Sequence, residues 1–142
     1  MATIICLLSM LAIIPFLSSA YSSRNWDPLF NHYRVHVING FSSNDQPMFI
    51  RCWSRHDDLG NHTLYIGGDF NFYFGLRLLP PFTHFYCDFK WGTNYLPEVT
   101  VFDEDEVMPL CYYTHKCYWR GQDEGLFFSN DNSSYSKTHP WH

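Results

Sequence analysis

Phe-Asn-Phe-Tyr-Phe-Gly-Leu-Arg-Leu-Leu-Pro-Pro-Phe-Thr-His-Phe-Tyr-Cys-Asp-Phe-Lys-Trp, residues 70–91, is the stretch that decides the fold class. Its second half alternates with a period of two. Phe85, Cys87, Phe89 and Trp91 fall on one side of an extended chain, and His84, Tyr86, Asp88 and Lys90 on the other. Such a period marks a strand with one buried face. Phe70, Phe72 and Phe74 repeat the pattern, with Asn71 and Tyr73 opposite. Neither Pro80 nor Pro81 can continue a ladder, and Leu79, before a proline, is pushed to extended geometry. The expectation is a central hairpin, two antiparallel strands joined by a loop of about eight residues. Cys87 points inward, so any bridge it makes is a core bridge.

Working outward, the same alternation recurs in short runs. Tyr33 to Ile38 puts Val35 and Val37 inward and ends in an Asn39-Gly40 turn. Met48 to Ser54 puts Ile50 and Cys52 on one face. Arg55 to Asn61 reads as a turn, and Thr63 to Ile66 as a short strand running through Gly67-Gly68-Asp69 into the central hairpin. Gly92, Asn94 and Pro97 mark a loop before a strand from Glu98 to Phe102. Met108 to Lys116 carries no clear pattern. Cys117 and Trp119 share a face, Gly121 to Gly125 is a tight turn, and Leu126 to Ser129 is the last strand. Asn130 to His142 is polar and is expected to be a disordered tail. No window of ten residues after Ala20 has helical periodicity. Seven or eight short strands at regular spacing indicate an all-β sandwich or barrel over residues 21–129.

The first twenty residues read as a separate object. Ile4 to Leu17 is apolar and uncharged, and Ser18-Ser19-Ala20 supplies small residues for a peptidase. The run is short for a membrane span, so a secretory signal peptide cut after Ala20 outranks an uncleaved anchor, although no Lys or Arg precedes it. No later segment is apolar enough to span a bilayer. Cys6 leaves with that peptide. Cys52, Cys87, Cys111 and Cys117 remain, an even number in a small secreted chain, and so point to two disulfides of open connectivity. Asn61-His62-Thr63 and Asn132-Ser133-Ser134 are glycosylation sequons. The net charge of −5 offers no basic patch for nucleic acid.

The chemistry that could make an enzyme is missing in pattern. The eight histidines have no zinc-binding spacing, and His115, between Cys111 and Cys117, is outranked as a ligand by a bridge. Asp103 to Glu106 lacks the glycine of a calcium loop and reads as a solvated strand end or a surface for a basic partner. No Gly-x-Ser-x-Gly elbow is present. Asp57-Asp58 and Asp123-Glu124 are adjacent pairs that point to opposite faces, poor geometry for a shared acid/base task. The Phe70, Phe72, Phe74 stripe reads as core rather than as a stacking platform. No cofactor or metal site is expected.

Five ordered features resemble the plant self-incompatibility S-protein homologue family. They are Val-His-Val-Ile-Asn-Gly (35–40), Cys52-Trp53-Ser54-Arg55-His56-Asp57-Asp58-Leu59-Gly60, Asp69 to Phe74, Phe85-Tyr86-Cys87-Asp88-Phe89-Lys90-Trp91, and Cys117-Tyr118-Trp119 followed by Gly125-Leu126. Arg51 stands where the family often has His. The resemblance runs from about Val35 to Phe128. It implies an antiparallel β-sandwich with two disulfides and no catalytic site. It also implies a secreted signalling ligand read by a cell-surface receptor, as the poppy stigma proteins are read by incompatible pollen; a monomer is expected, although the sequence does not decide the oligomeric state. On this reading Asp57-Asp58-Leu59-Gly60 is a structural turn, with aspartate accepting backbone N–H groups and Gly60 at positive φ. Specificity is expected in the loops Leu78–Thr83, Asp103–Met108 and Gly121–Glu124. Two rivals remain. A hydrolase or nuclease would need two of His36, His56, His84 and His115 within hydrogen-bond reach in a cleft. A carbohydrate-binding or defence module would need Tyr65, Tyr73 and Tyr86 to form one exposed row.

Overall fold

The computed structural model describes residues 32–142. The signal peptide expected over 1–20 and the lead-in after it lie outside the described residues. Within them the chain forms nine strands. These are β1 (His32–Asn39), β2 (Met48–Ser54), β3 (Asp58–Leu64), β4 (Asp69–Gly75), β5 (His84–Trp91), β6 (Asn94–Asp103), β7 (Lys116–Gln122), β8 (Gly125–Ser129) and β9 (Ser136–His139). A single 3-10 turn, Met108–Cys111, lies in the connection between β6 and β7 that the sequence pattern left open.

The strands make two sheets, ordered β4-β1-β7-β8-β9 and β3-β2-β5-β6. Every pair is antiparallel except β1 with β7. Alternating burial on β1, β2, β5 and β7 turns one face of each sheet inward, as the sequence alternation requires. Tyr33, Val35, Val37, Met48, Phe89, Val101 and Leu126 are fully buried.

The central hairpin is not formed. β4 pairs with β1, whereas β5 pairs with β2 and β6 in the other sheet. The segment from Leu76 to Thr83 therefore crosses from one sheet to the other. The two aromatic stripes meet face to face: Phe72 and Phe74 lie 4.9 and 4.7 Å from Phe85, and Phe74 meets the Phe102 edge at 4.7 Å. A strand whose buried face is a row of phenylalanines gains more by facing another such row than by lying beside it, because facing rows exclude water from both.

Other boundaries move for local reasons. β3 starts at Asp58, inside the expected turn, and ends at Leu64, leaving Tyr65 and Ile66 exposed. β6 starts at Asn94, and Pro97 sits within it at a bulge where the pairing slips between Leu96 and Val99. β6 is an edge strand, which is where a proline is tolerated. Asp88 accepts a 2.8 Å hydrogen bond from the Glu98 N–H, so the backbone donor at the bulge is satisfied.

The tail expected to be disordered is ordered. Ser136–His139 adds to β8 as the last strand of its sheet. Trp141 donates from Nε1 to the Gln122 carbonyl at 2.7 Å and stacks on Phe41, which stacks on Trp91 at 4.2 Å. Composition misled here because one tryptophan carries the packing for a polar segment. The turn into this strand is built by Asp131, whose carboxylate accepts from the Ser133 and Ser134 N–H groups and the Ser129 hydroxyl.

Both bridges lie in the core. Cys52 and Cys87 are direct partners across β2 and β5, with an S–S distance of 2.01 Å. Cys111 joins Cys117 at 1.93 Å and ties the β6–β7 connection to the start of β7. Gly60 has φ of +81° with nothing near its missing Cβ, so its constraint is conformational. At Gly121 the constraint is space: a Cβ would come within 2.5 Å of the Met48 sulfur.

Three expected outcomes follow from this packing. Trp141→Ala lowers stability by about 1–3 kcal/mol in chemical denaturation, the range for losing a partly buried tryptophan; a disordered tail would give no change. Gly60→Val, forcing a β-branched residue into the left-handed region, costs about 1–2 kcal/mol and lowers secreted yield; wild-type yield and melting temperature would refute the constraint. The third concerns acid. Hydrogen bonds from the Ser42 hydroxyl and N–H hold the Asp123 carboxyl below its ordinary value of 3.8, and the Ser134, Ser133 and Ser129 donors do the same for Asp131. A depressed folded pKa stabilises above 3.8 and loses that contribution as pH falls through the folded value. Asp123→Asn with Asp131→Asn should therefore flatten the fall in melting temperature between about pH 5 and pH 2.

Candidate functional site

The ends of the sandwich differ. At one end Phe41, Trp91 and Trp141 stack into a plug over the core. At the other, the β2–β3 turn and the β4–β5 loop stand apart around a cleft of about 380 Å³. Phe74, Thr83 and Phe85 are among its lining, with Arg55, His56 and Asp57 from the turn and Arg77, Pro81 and Phe82 from the loop. Trp53, His84 and Tyr86 complete one flank.

Short-range hydrogen bonds hold both loops. In the turn, Ser54 N–H donates to the Asp57 carbonyl at 2.7 Å, and the Ser54 hydroxyl accepts from Asp57 N–H at 3.2 Å. Asp58 accepts from its own Gly60 N–H at 2.9 Å and from Arg51 at 3.4 Å. These donors, Gly60 foremost, hold the Asp58 carboxyl below the ordinary aspartate range. Asp57 thus shapes the turn through its backbone, and it is one of the residues lining the cleft. In the loop, buried Thr83 accepts from Arg77 N–H at 3.0 Å, closing a neck beneath the segment 78–82. Above that neck Leu78, Leu79 and Phe82 are 83%, 75% and 56% exposed.

Arginines elsewhere in the described residues meet a polar or aromatic partner, although the buried Arg120 Nε has no hydrogen-bond partner. Arg34 bonds Asn71 and lies over Tyr73, Arg51 pairs with Asp58 over Trp53, and Arg120 lies over Tyr135. Arg55 and Arg77 make no side-chain hydrogen bond or ion pair among the described residues, and both line the cleft.

Two of the four candidate histidines share the cleft, with no hydrogen bond between them, and the other two lie elsewhere. His36 lies on the outer face of its sheet, paired with Asp69 at 2.9 Å and stacked on Tyr118. His115 is stacked on buried Tyr33 at 4.3 Å and contacts the His32 carbonyl. His56 and His84 both line the cleft, but no hydrogen bond joins them, and His84 contacts Thr100 at 3.0 Å. No group of three or more His, Cys, Asp or Glu among the described residues is arranged to hold a metal. The tyrosine row also fails. Tyr73 lies on the outer face of β4, and Tyr86 on that of β5 in the opposite sheet.

Two of the expected specificity loops serve the fold. Asp103 caps its own turn by accepting from Glu106 and Val107 N–H, and Asp123 staples the β7–β8 turn to Ser42. Leu78–Thr83 alone is both exposed and apolar. The turn arginine Arg55 was absent from the sequence expectations about specificity. Its neighbourhood to Arg77, twenty-two residues away, follows from the sheet crossing and has no local signal. Asn61 is exposed on β3 beside Arg51, and Asn132 lies in the exposed turn before β9.

Comparison with known proteins places this geometry. The family model described as plant self-incompatibility protein S1 matches residues 34–141, including the tail strand. S-protein homolog 1 of Arabidopsis thaliana is 29% identical over 106 residues, 75% of this chain and 68% of that protein. Self-incompatibility protein S1 of Papaver rhoeas is 29% identical over 98 residues, 66% of this chain and 65% of that protein. A solved SPH (Self-Incompatibility Protein Homologue) structure, from what is described as a widespread family of small, highly stable, secreted proteins from plants, has the same fold. It matches with a TM-score of 0.57 at 14% identity, over 79% of this chain and 96% of that one. With its two bridges, its paired sheets and a family match running through β9, the chain belongs to the plant self-incompatibility protein S1 family of small secreted proteins.

Proposed function

We propose that this protein is an extracellular signalling ligand, read by a cell-surface receptor protein and acting without catalysis. The observation that carries the reading is the β4–β5 loop. Three large apolar side chains, Leu78, Leu79 and Phe82, stand in solvent above a neck pinned by Thr83. Exposed apolar clusters on small soluble proteins are costly and mark contact surfaces. A rigid bridged sandwich presenting such a loop is built for recognition. Signal-peptide cleavage after Ala20 and glycans on Asn61 and Asn132 belong to the same reading, since each suits export.

The test uses the secreted, fluorescently labelled protein on intact plant cells. Saturable binding that protease treatment of the cells abolishes is the expected result. Leu79→Asp with Phe82→Asp should cut that binding at least about tenfold, the scale of losing a buried apolar anchor. Binding that never saturates, or that survives protease but not wall-degrading enzymes, would sink the receptor reading.

A further inference from the structure

The cleft at the open end adds charge to the apolar loop. The protein has a net charge of −5, yet Arg55 and Arg77, which make no side-chain hydrogen bond or ion pair among the described residues, line one cavity with His56 and His84. A single carboxylate, Asp57, shares it. A guanidinium without an acidic partner at the mouth of a concave, partly aromatic site is suited to a carboxylate ligand, because it can offer two parallel N–H donors. The cavity of about 380 Å³ suits side chains rather than a folded domain. Its rim decides the ligand class. Phe82 lines the cleft with the arginines, Leu78 and Leu79 follow Arg77 in the chain and are exposed, and an acidic sugar has no aliphatic side chains to cover them.

We infer that this cleft takes an acidic peptide segment of a partner protein, its carboxylates on Arg55 and Arg77 and its apolar side chains on Phe82 and the adjoining leucines. The inference rests on the receptor–ligand reading and names the chemistry of the receptor segment. Arg55 lies on the short turn held by Ser54, and Arg77 at the neck held by Thr83, so both guanidinium groups start from fixed backbone. That lowers the ordering cost of binding.

The test is a titration of the intact secreted protein, isotope-labelled, followed by NMR. The probe is the capped peptide acetyl-Leu-Glu-Phe-Asp-Leu-Glu-Phe-amide. Shifts should cluster at residues 53–57 and 75–86, with a dissociation constant on the order of 0.1–1 mM, as a short flexible segment allows. The Gln and Asn counterpart should bind about tenfold more weakly, as should Arg55→Glu and Arg77→Glu, and added salt should weaken binding. Both arginines are exposed, so these variants should keep the wild-type melting temperature. Phe82→Ala removes the apolar contact and should weaken binding without changing its salt dependence. Equal binding of the neutral peptide, shifts elsewhere on the sandwich, or no binding at millimolar peptide would overturn the inference. So would a cleft that responds to a galacturonic acid trisaccharide and not to the peptide. Cell binding that survives both charge reversals would leave the receptor reading intact and remove only the cleft.

Discussion

The amide of Asn39 is buried at the end of β1 and is satisfied from both sides of the sandwich. Its Nδ2 donates to the Leu64 carbonyl of the opposite sheet at 2.7 Å, and its Oδ1 accepts from Phe41 N–H at 3.0 Å. Its backbone joins the β3–β4 turn through Gly67 and Gly68. Trp119 makes the second such stitch, donating from Nε1 to the Val101 carbonyl across the core at 2.9 Å. Apolar packing between two sheets is non-directional and permits sliding. Buried polar groups are not so tolerant, since each unpaired donor or acceptor costs about 1–3 kcal/mol. These two side chains therefore fix where one sheet sits over the other, and the aromatic stripes fill the space so defined.

Once the sheets are set, the two ends take different roles. One is closed by Phe41, Trp91 and Trp141, with Asp123 stapled to Ser42 beside them. The other keeps its core covered by Thr83 and Phe85 but leaves the loop above them in solvent. Two disulfides and the tail strand concentrate rigidity behind that loop. The energetic cost of exposed leucines is borne by the rest of the scaffold, which is the arrangement expected when a surface is kept for a partner.

Much of this was legible along the chain. Val35, Val37 and Cys87 were assigned inward by alternation, and Cys117 and Trp119 were assigned to one face; all are buried. The four cysteines were marked as bridging, and the positive φ of Gly60 followed from its turn. The tail was misread because hydropathy averages over a segment, whereas β9 is held by backbone pairing and one indole, Trp141. The site was half visible. Its apolar loop was one of three candidate loops that the sequence did not rank, and its charge gave no local signal, because Arg55 and Arg77 lie in different connections and meet only around the cleft.

What the sequence determined by itself was local: which residues face inward, where the chain turns, and that the fold is all-β. A period of two specifies a face and carries no information about the neighbour across the sheet. Whether β4 lies beside β5 or opposite it was decided only in three dimensions, by the gain from sealing Phe72 and Phe74 against Phe85 and by the fixed partners of Asn39 and Trp119. That same decision sent residues 76–83 across the end of the sandwich, and so made the cleft.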